Sequence, residues 1–458
     1  MTTPHSTHPS SSAPTPRRVV AAWLIPCLLL AFGLAAAAIP AAAELVDAEL
    51  LDARLERRVV RLASVSPDRL TYFNDRRELE STPLDEIVRI TPIPGTPRAS
   101  AAPNPTTDEA HPRPRGLLAA FTVHLTDGQR YANVAWRAAD QPGAIALEHP
   151  ALGAFDLPLD LVVALLPADE ASPTPAGDQD AAMTDVVVLV NGDALPGFVD
   201  SIGLDGVTLL PDDGEPLTIG LDRVASVRLI NPTDPEPTDD HRLTLRDGTR
   251  LYGRGLSLAS GSVLGERGGR GGRLMLDARV PDAGWREVAV PLDDVATLDL
   301  AGYRLVPLSA LEVEDTTPGE VFGVSWPPEP TAEGWVVHAP TTMAWRLPDG
   351  ATRVALGATL ATDRLPSTAA ALADCVVRWT ADDVDTPTLL GSRRLIGMAD
   401  RPSAASPDLA WLTAELPATA RTLVVAVDAG ANGPIADRVR LDGPGVLVVG
   451  SAEARSAY

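Results

Sequence analysis

One short pattern recurs four times, and it constrains the fold more than any other feature. Thr82-Pro-Leu-Asp-Glu-Ile-Val-Arg-Ile90 is matched by Leu157-Pro-Leu-Asp-Leu-Val-Val-Ala-Leu165 and by Ile219-Gly-Leu-Asp-Arg-Val-Ala-Ser-Val227. Val290-Pro-Leu-Asp-Asp-Val-Ala-Thr-Leu298 completes the set. The shared core is Leu-Asp-x-(Ile/Val), starting at Leu84, Leu159, Leu221 and Leu292. Upstream of three copies stands a hairpin signal: Leu125-Thr-Asp-Gly128, Leu189-Val-Asn-Gly192 and Leu245-Arg-Asp-Gly248. Asp-Gly and Asn-Gly readily take the positive φ angles of a tight turn. The first unit has no such glycine and carries Leu51-Asp-Ala-Arg54 instead. From turn to Leu-Asp the spacing is 32 residues (Asp52 to Leu84), 32 (Asp127 to Leu159) and 30 (Asn191 to Leu221). The fourth spacing, Asp247 to Leu292, is 45, with a glycine-rich insertion at 265–272. Internal repetition at a near-fixed period predicts one supersecondary unit used four times, each supplying about five short strands of a small curled barrel.

The rest of the chain agrees with an all-β fold. Its 43 prolines and 36 glycines cluster between short runs rich in Val and Leu, and amphipathic helical stretches are hard to find beyond the N-terminal segment. Pro-rich polar stretches at 93–116, 169–184 and 232–240 read as extended linkers. The boundaries that follow are modules at 44–92, 117–168, 185–231 and 241–301, arranged as a string of barrels, and a larger module at 302–450. The repeated units resemble SH3-like or Sm-like small barrels, in which a one-turn helix or tight turn enters the last strand. That resemblance implies topology only.

Residues 1–43 carry an export signal. A polar stretch from Met1 to Pro16 precedes Arg17 and Arg18, and Val19 to Ile39 then runs without a charge. A small-residue site at Ala41–Ala43 follows, predicting cleavage after Ala43. The arginine pair lacks the flanks of a twin-arginine signal, and Pro26 before Cys27, with the apolar run continuing past it, argues against a lipoprotein. The competing reading is an uncleaved anchor, since 21 residues can span a hydrocarbon core of about 30 Å. Either reading places the chain after Glu44 outside the cytoplasm, with membrane contact only through that segment.

Charge removes a class of partner. Net charge is −23, and it becomes −25 without residues 1–43, which hold two arginines and no acid. Non-specific nucleic-acid binding needs clustered cations, so that function is not expected. Arg267-Gly-Gly-Arg-Gly-Gly-Arg273 is a single short tract on this acidic background and reads as a hairpin loop. All 38 cations are Arg, as expected of an alanine- and arginine-rich composition. Cys375 is the one cysteine after the signal, so no intramolecular disulfide can form, and its strand-like setting in Asp374–Trp379 predicts a buried hydrophobe.

From Gly302 the repeat disappears, and strand-like runs spaced as in a two-sheet sandwich take over. Gly334-Trp-Val-Val-His-Ala339 precedes Trp345-Arg-Leu-Pro-Asp-Gly350 and Arg353-Val-Ala-Leu-Gly357. Val376-Val-Arg-Trp-Thr-Ala-Asp-Asp383, Leu423-Val-Val-Ala-Val-Asp-Ala-Gly-Ala-Asn-Gly433 and Asp437-Arg-Val follow. In this order they resemble the NPCBM family, carbohydrate-binding modules found beside glycoside hydrolases. The sequence departs from the family pattern at Leu441, where the family has Trp, and at Val384, where it has Gly. The resemblance implies a galactose-binding-like (jelly-roll) sandwich and a glycan ligand.

Three groups of residues are candidates for chemistry. Trp335, His338 and Trp345 could serve a sugar, the imidazole bonding a hydroxyl and an indole stacking on the ring. The competing reading makes both tryptophans core residues and has His338 bonding a backbone carbonyl. Asp428, Asn432 and Asp437 are oxygen ligands on a glycine-bearing loop, suited to a structural Ca²⁺ or merely to capping a turn. Catalysis finds no support: no HExxH, GxSxG or P-loop motif occurs, and no cofactor is required. Of the five histidines after the signal, His111, His124, His149, His241 and His338, two lie in or beside Pro-rich or turn-like sequence. The repeated Asp85, Asp160, Asp222 and Asp293 imply a shared turn, not four active sites. The expectation is a non-catalytic exported protein that binds glycan, with the modules as spacers or protein-contact units. The alternatives are a scaffold contacting envelope proteins and a cryptic glycoside hydrolase accessory subunit.

Overall fold

The computed structural model describes residues 45–449 apart from 95–116, 118–119, 138–143, 169–183, 212–213, 235, 238, 260–271, 282–283, 332–333, 362–372, 383–386, 397–409, 431–432 and 434–436. The expected export signal, most of the linker at 93–116 and of that at 169–184, His111, Asn432 and Arg267–Arg270 lie outside the described residues. Residues 44–458 form one compact unit. Among the described residues no helix is long and apolar enough to cross a membrane.

The repeated sequence produces a repeated path. In the first module Val46–Asp52 pairs antiparallel with Arg57–Val65. That strand shifts register between Leu62 and Ser64, bends, and pairs with Arg69–Phe73, which pairs with Leu79–Pro83. A one-turn helix, Leu84–Glu86, then delivers Ile87–Pro92 to the other edge of the first strand. The same register break returns at Val199/Ser201 and Arg254/Ser257, where one strand must serve two neighbours. The fourth and fifth strands share no ladder among the described residues, so each barrel-like module is a curled, open sheet.

Each signature residue of the repeat has a local task. Leu84, Leu221 and Leu292 plug the core, while Asp85, Asp160, Asp222 and Asp293 point to solvent within the shared turn. In the hairpins, side-chain oxygens of Asp127, Asn191 and Asp247 accept the N–H two residues on, at 3.0, 3.1 and 2.8 Å. Gly128, Gly192 and Gly248 follow with φ near 84°, 91° and 92°.

The first hairpin corrects the sequence alignment. Ala53, Thr126, Val190 and Arg246 each donate to the carbonyl closing the one-turn helix or turn, at Glu86, Leu161, Arg223 and Asp294. Asp52 is therefore the counterpart of Leu125, Leu189 and Leu245, two residues earlier than the spacing suggested. Arg54 stands where the others have Asp or Asn, and Leu55, at φ 61°, stands at the glycine. Asp52 compensates by accepting the N–H groups of both Arg54 and Glu56 at 2.9 Å.

The modules pair with one another along their edges, a point the sequence leaves open. The last strand of the first module pairs with the last strand of the fourth (Ile90 with Leu298, Arg89 with Asp299). The last strands of the second and third pair likewise (Ala164 with Arg228, Leu165 with Val227). Arg130 and Arg250 bridge the second and fourth. All twenty strands thereby belong to one ladder network over one apolar core.

Polar groups lock these joints. Asp299, buried, receives Arg89 and both Nε and Nη2 of Arg242, the latter two at 2.8 and 2.6 Å. Burial works to raise its carboxyl, and the two guanidiniums outweigh that and hold it below the ordinary carboxylate value. Thr249 Oγ1 accepts the N–H of Ala132 and contacts Nε2 of buried His149, both at 3.1 Å. His149 Nδ1 accepts from Ala151 and Leu152, so Nε2 carries the ring proton and donates to Thr249.

Residues 303–449 make the sandwich. One sheet runs Val313–Thr317, Thr341–Arg346, Thr422–Ala429, Asp374–Asp382, Pro387–Ile396. The other runs Glu329–Pro330, Trp335–His338, Arg438–Val449, Ala351–Leu360, Ala410–Glu415, with Tyr303–Val306 also on the long Arg438–Val449 strand. Between them Trp345, Trp379, Cys375 and alternating aliphatics form a separate core. A small third cluster joins the first module to the sandwich: Leu51, Leu55 and Val88 against Leu305, Ala355 and Leu447. Beside it Tyr303 Oη donates to the Asp85 carbonyl at 2.7 Å.

A candidate aromatic platform on the C-terminal sandwich

The residues that the sequence grouped for sugar binding separate in space. Trp345 is fully buried in the sandwich core, so its indole has no face for a ligand, and the core reading replaces the stacking one. Trp335 is half-buried and packs against the same core. Its Nε1 is enclosed and has no hydrogen-bond partner among the described residues. His338 is half-buried at the other end of the same strand, Trp335–His338.

What His338 meets there is an aromatic that the sequence reading passed over. A two-stranded hairpin, Gly319–Val321 with Val324–Trp326, folds over the strand end. Trp326 stacks on the imidazole with ring centroids 5.2 Å apart and planes 27° from parallel. Trp326 is 47% exposed and Phe322, at the hairpin tip, 86%. The hairpin is fastened at its base. Gly319 N–H donates to Thr341 Oγ1 at 3.1 Å, and the Thr341 hydroxyl donates to the His338 carbonyl. A Cβ on Gly319 would lie 2.6 Å from that carbonyl oxygen, so only glycine permits the approach.

The tip itself is unusual. Phe322 and Gly323 form the two-residue turn with φ of 54° and 76°. Two successive positive φ values define a type I′ turn, whose first position favours Asn, Asp or Gly. A bulky aromatic there costs about 1–2 kcal/mol in Cβ–carbonyl crowding. It makes no compensating burial. Val-Phe-Gly-Val at 321–324 is the sequence signal that could have revealed the hairpin, an X-Gly pair between β-branched residues.

The imidazole has a defined polarity. His338 Nδ1 lies 3.1 Å from the Ala339 carbonyl, which can only accept. Nδ1 therefore carries the proton, and in the neutral ring Nε2 is an acceptor for a hydroxyl. Arg438, paired opposite His338, binds Glu329 at 2.6 Å along the same edge.

Two of the three expected calcium ligands, Asp437 and Asp428, have other partners. Asp437, fully buried, accepts the N–H of Asp374 at 2.7 Å and of Gly430 at 3.4 Å, and its own carbonyl accepts from Ala339. Burial raises its carboxyl above the usual value, against the pull of those hydrogen bonds. Asp374 is clamped bidentately by Arg394, both contacts at 2.7 Å. Asp428 pairs with Arg378. Asp437 thus ties three loops together by backbone bonds, and among the described residues no group of three or more His, Cys, Asp or Glu is gathered for a metal. Cys375 is buried, its thiol pushed up to about 12 by burial and then by Asp437 and Asp374.

No protein-family profile matches the chain, and no curated protein matches it. Among solved structures, the CBM51-2 and INT domains of Clostridium perfringens ZmpB align at 12% identity and a TM-score of 0.23, covering 40% of this chain and 38% of that one. The tandem CBM51 modules of Sp3GH98, a family 98 glycoside hydrolase from Streptococcus pneumoniae SP3-BS71, align at 13% identity and 0.23, covering 61% and 92%. The chain spans less than half the length of the ZmpB structures it matches. A likeness of this size assigns no function.

Proposed function

We infer that this is an exported, non-catalytic protein whose C-terminal NPCBM-like sandwich binds a glycan through the hairpin face of Phe322, Trp326 and His338. One observation carries the reading: an aromatic held at a strained turn position, largely in solvent, beside a second exposed aromatic stacked on a histidine. Strain without burial is retained where display of the side chain has a use. The face offers what a pyranose needs, flat apolar surface for its C–H face and an imidazole acceptor for a hydroxyl. Sugar binding through this face requires no cofactor. The N-terminal assembly acts as the rigid mount.

A glycan array followed by calorimetric titration of residues 44–458 tests this. Trp326→Ala is expected to weaken the best glycan at least tenfold with an unchanged melting temperature; unaltered affinity overturns the assignment of the face. A second reading is favoured by Val324, 55% exposed beside the aromatics, since an aliphatic side chain suits protein contact better than sugar. On that reading the hairpin docks a neighbouring envelope protein, and no glycan on the array gives saturable binding.

A further inference from the structure

A cleft of about 730 Å³ opens where the first module, the fourth module and the sandwich meet. It is distant in character from the aromatic face. Five arginines line it, Arg57, Arg89, Arg242, Arg250 and Arg304, against four carboxylates, Glu49, Glu236, Asp299 and Asp442. A local excess of one positive charge is notable on a chain of net charge −23.

The pairing within the cleft is unequal. Asp299 is satisfied by Arg89 and Arg242. Glu236, however, is shared by three guanidiniums: Arg242 at 3.2 Å, Arg250 at 3.4 Å and Arg304 at 3.5 Å. Good guanidinium–carboxylate bonds lie near 2.7–2.9 Å, so one carboxylate is spread too thinly over three cations. Arg250 and Arg304 keep side-chain exposures of 39% and 42% and have N–H donors to spare. Arg250 is also register-paired with Arg130, whose guanidinium value is lowered by burial and then by Arg250. The hydroxyl-bearing Thr91, Thr244 and Thr297 complete the polar wall.

We propose that this cleft binds an oxyanion carried on a small polyhydroxylated molecule, a sugar acid being the class that fits. Arg250 and Arg304 would take the carboxylate or sulfate as a two-armed clamp, and the threonines would bond hydroxyls. The volume lies within the range of small-ligand sites. An inorganic oxyanion shares the charged half of this chemistry, so the test separates the two sources.

Residues 44–458 are titrated calorimetrically, at fixed ionic strength, with glucuronate, sodium sulfate and glucose. Glucuronate is expected to bind saturably, sulfate to compete more weakly, and glucose to give no heat. Arg304→Gln and Arg250→Gln should each weaken glucuronate about tenfold or more. Glu236→Gln removes the resident competitor and should tighten it, a change of sign that general damage to the fold would not produce. Trp326→Ala should leave glucuronate binding unchanged, which separates this site from the aromatic face. No heat with glucuronate, equal affinity for sulfate, or arginine variants that bind as the parent does would overturn the proposal.

Discussion

The N-terminal assembly and the C-terminal sandwich are both antiparallel β, but they use buried polar groups differently. In the assembly these groups reach across modules: Arg89 to Asp299, Thr249 to Ala132, and Tyr252 N–H to Gln129 Oε1. In the sandwich, Asp437 and Asp374 gather loops at one end, and the interior between the sheets is apolar, with Trp345 and Trp379 filling it. The difference follows from repetition. Four similar modules offer one another similar apolar edges, so apolar contact alone would not select which strand meets which. Charged and hydrogen-bonded joints do select, because a mispairing leaves a buried ion without its partner. A single sandwich has no such ambiguity.

That comparison is most severely strained by Asp299→Ala. Removing the anion strips Arg89 of its carboxylate and leaves Arg242 with only the longer contact to Glu236 at the joint, and a loss of about 3–5 kcal/mol is expected by urea unfolding. A loss under about 1 kcal/mol would show that the joint is decorative.

Acid should distinguish the halves next. Burial lowers His241 from 6.5 to about 4, and its Nδ1 accepts the Ala301 N–H, a bond the protonated ring cannot keep. His124 is likewise lowered to about 4, by burial first and then by Arg130 and Arg250. A depressed folded value means that the unfolded chain binds protons first, so stability falls as pH drops from about 6.5 to 4. His241 alone carries on the order of 3 kcal/mol of this. In the sandwich the raised Asp437 carboxyl acts in the opposite sense, since its folded form takes up protons more readily. Thermal melts at pH 7, 5.5 and 4.5 should show the assembly weakening; a melting profile independent of pH, or one that His241→Asn does not flatten, contradicts this.

Leu55 tests the seam between the halves. It occupies a left-handed position that glycine holds in the other modules, and it is buried against Leu305 and Leu447. Leu55→Ala should cost about 2–3 kcal/mol, losing the side chain but keeping the crowding. Leu55→Gly should cost about 1 kcal/mol less, because it also releases the φ strain. The smallest effect belongs to Phe322→Gly, expected to raise stability by about 1 kcal/mol while weakening glycan binding. A destabilised variant would mean that the ring packs against something.

The repeat was legible because its residues act locally: Leu84 and its equivalents need only a core beneath them, and Asp127 needs only the next turn. The module pairing was not, since nothing in Ile87–Pro92 names Val295–Asp299 as its neighbour. The first hairpin misled by two residues because Leu55 carries out a glycine's backbone role with a side chain recruited to a distant contact. Of the candidate site, His338 was legible from its strand-end position. Trp326 and Phe322 were not, because a three-residue strand gives too short an alternation to stand out. Trp345 looked equally suited to core and ligand until its partners were known.

The edge-to-edge pairing of the first and fourth modules also orders events during synthesis. Arg89 and Asp299 are 210 residues apart, so the first module to leave the ribosome waits longest for its neighbour. Until then the outer edge of Ile87–Pro92 is an unpaired strand, able to accept any passing one. The second and third modules close their joint much earlier. The native assembly should therefore form from the middle outward, at a rate set by closing that long loop, and its vulnerable interval is the wait of the first module for the fourth.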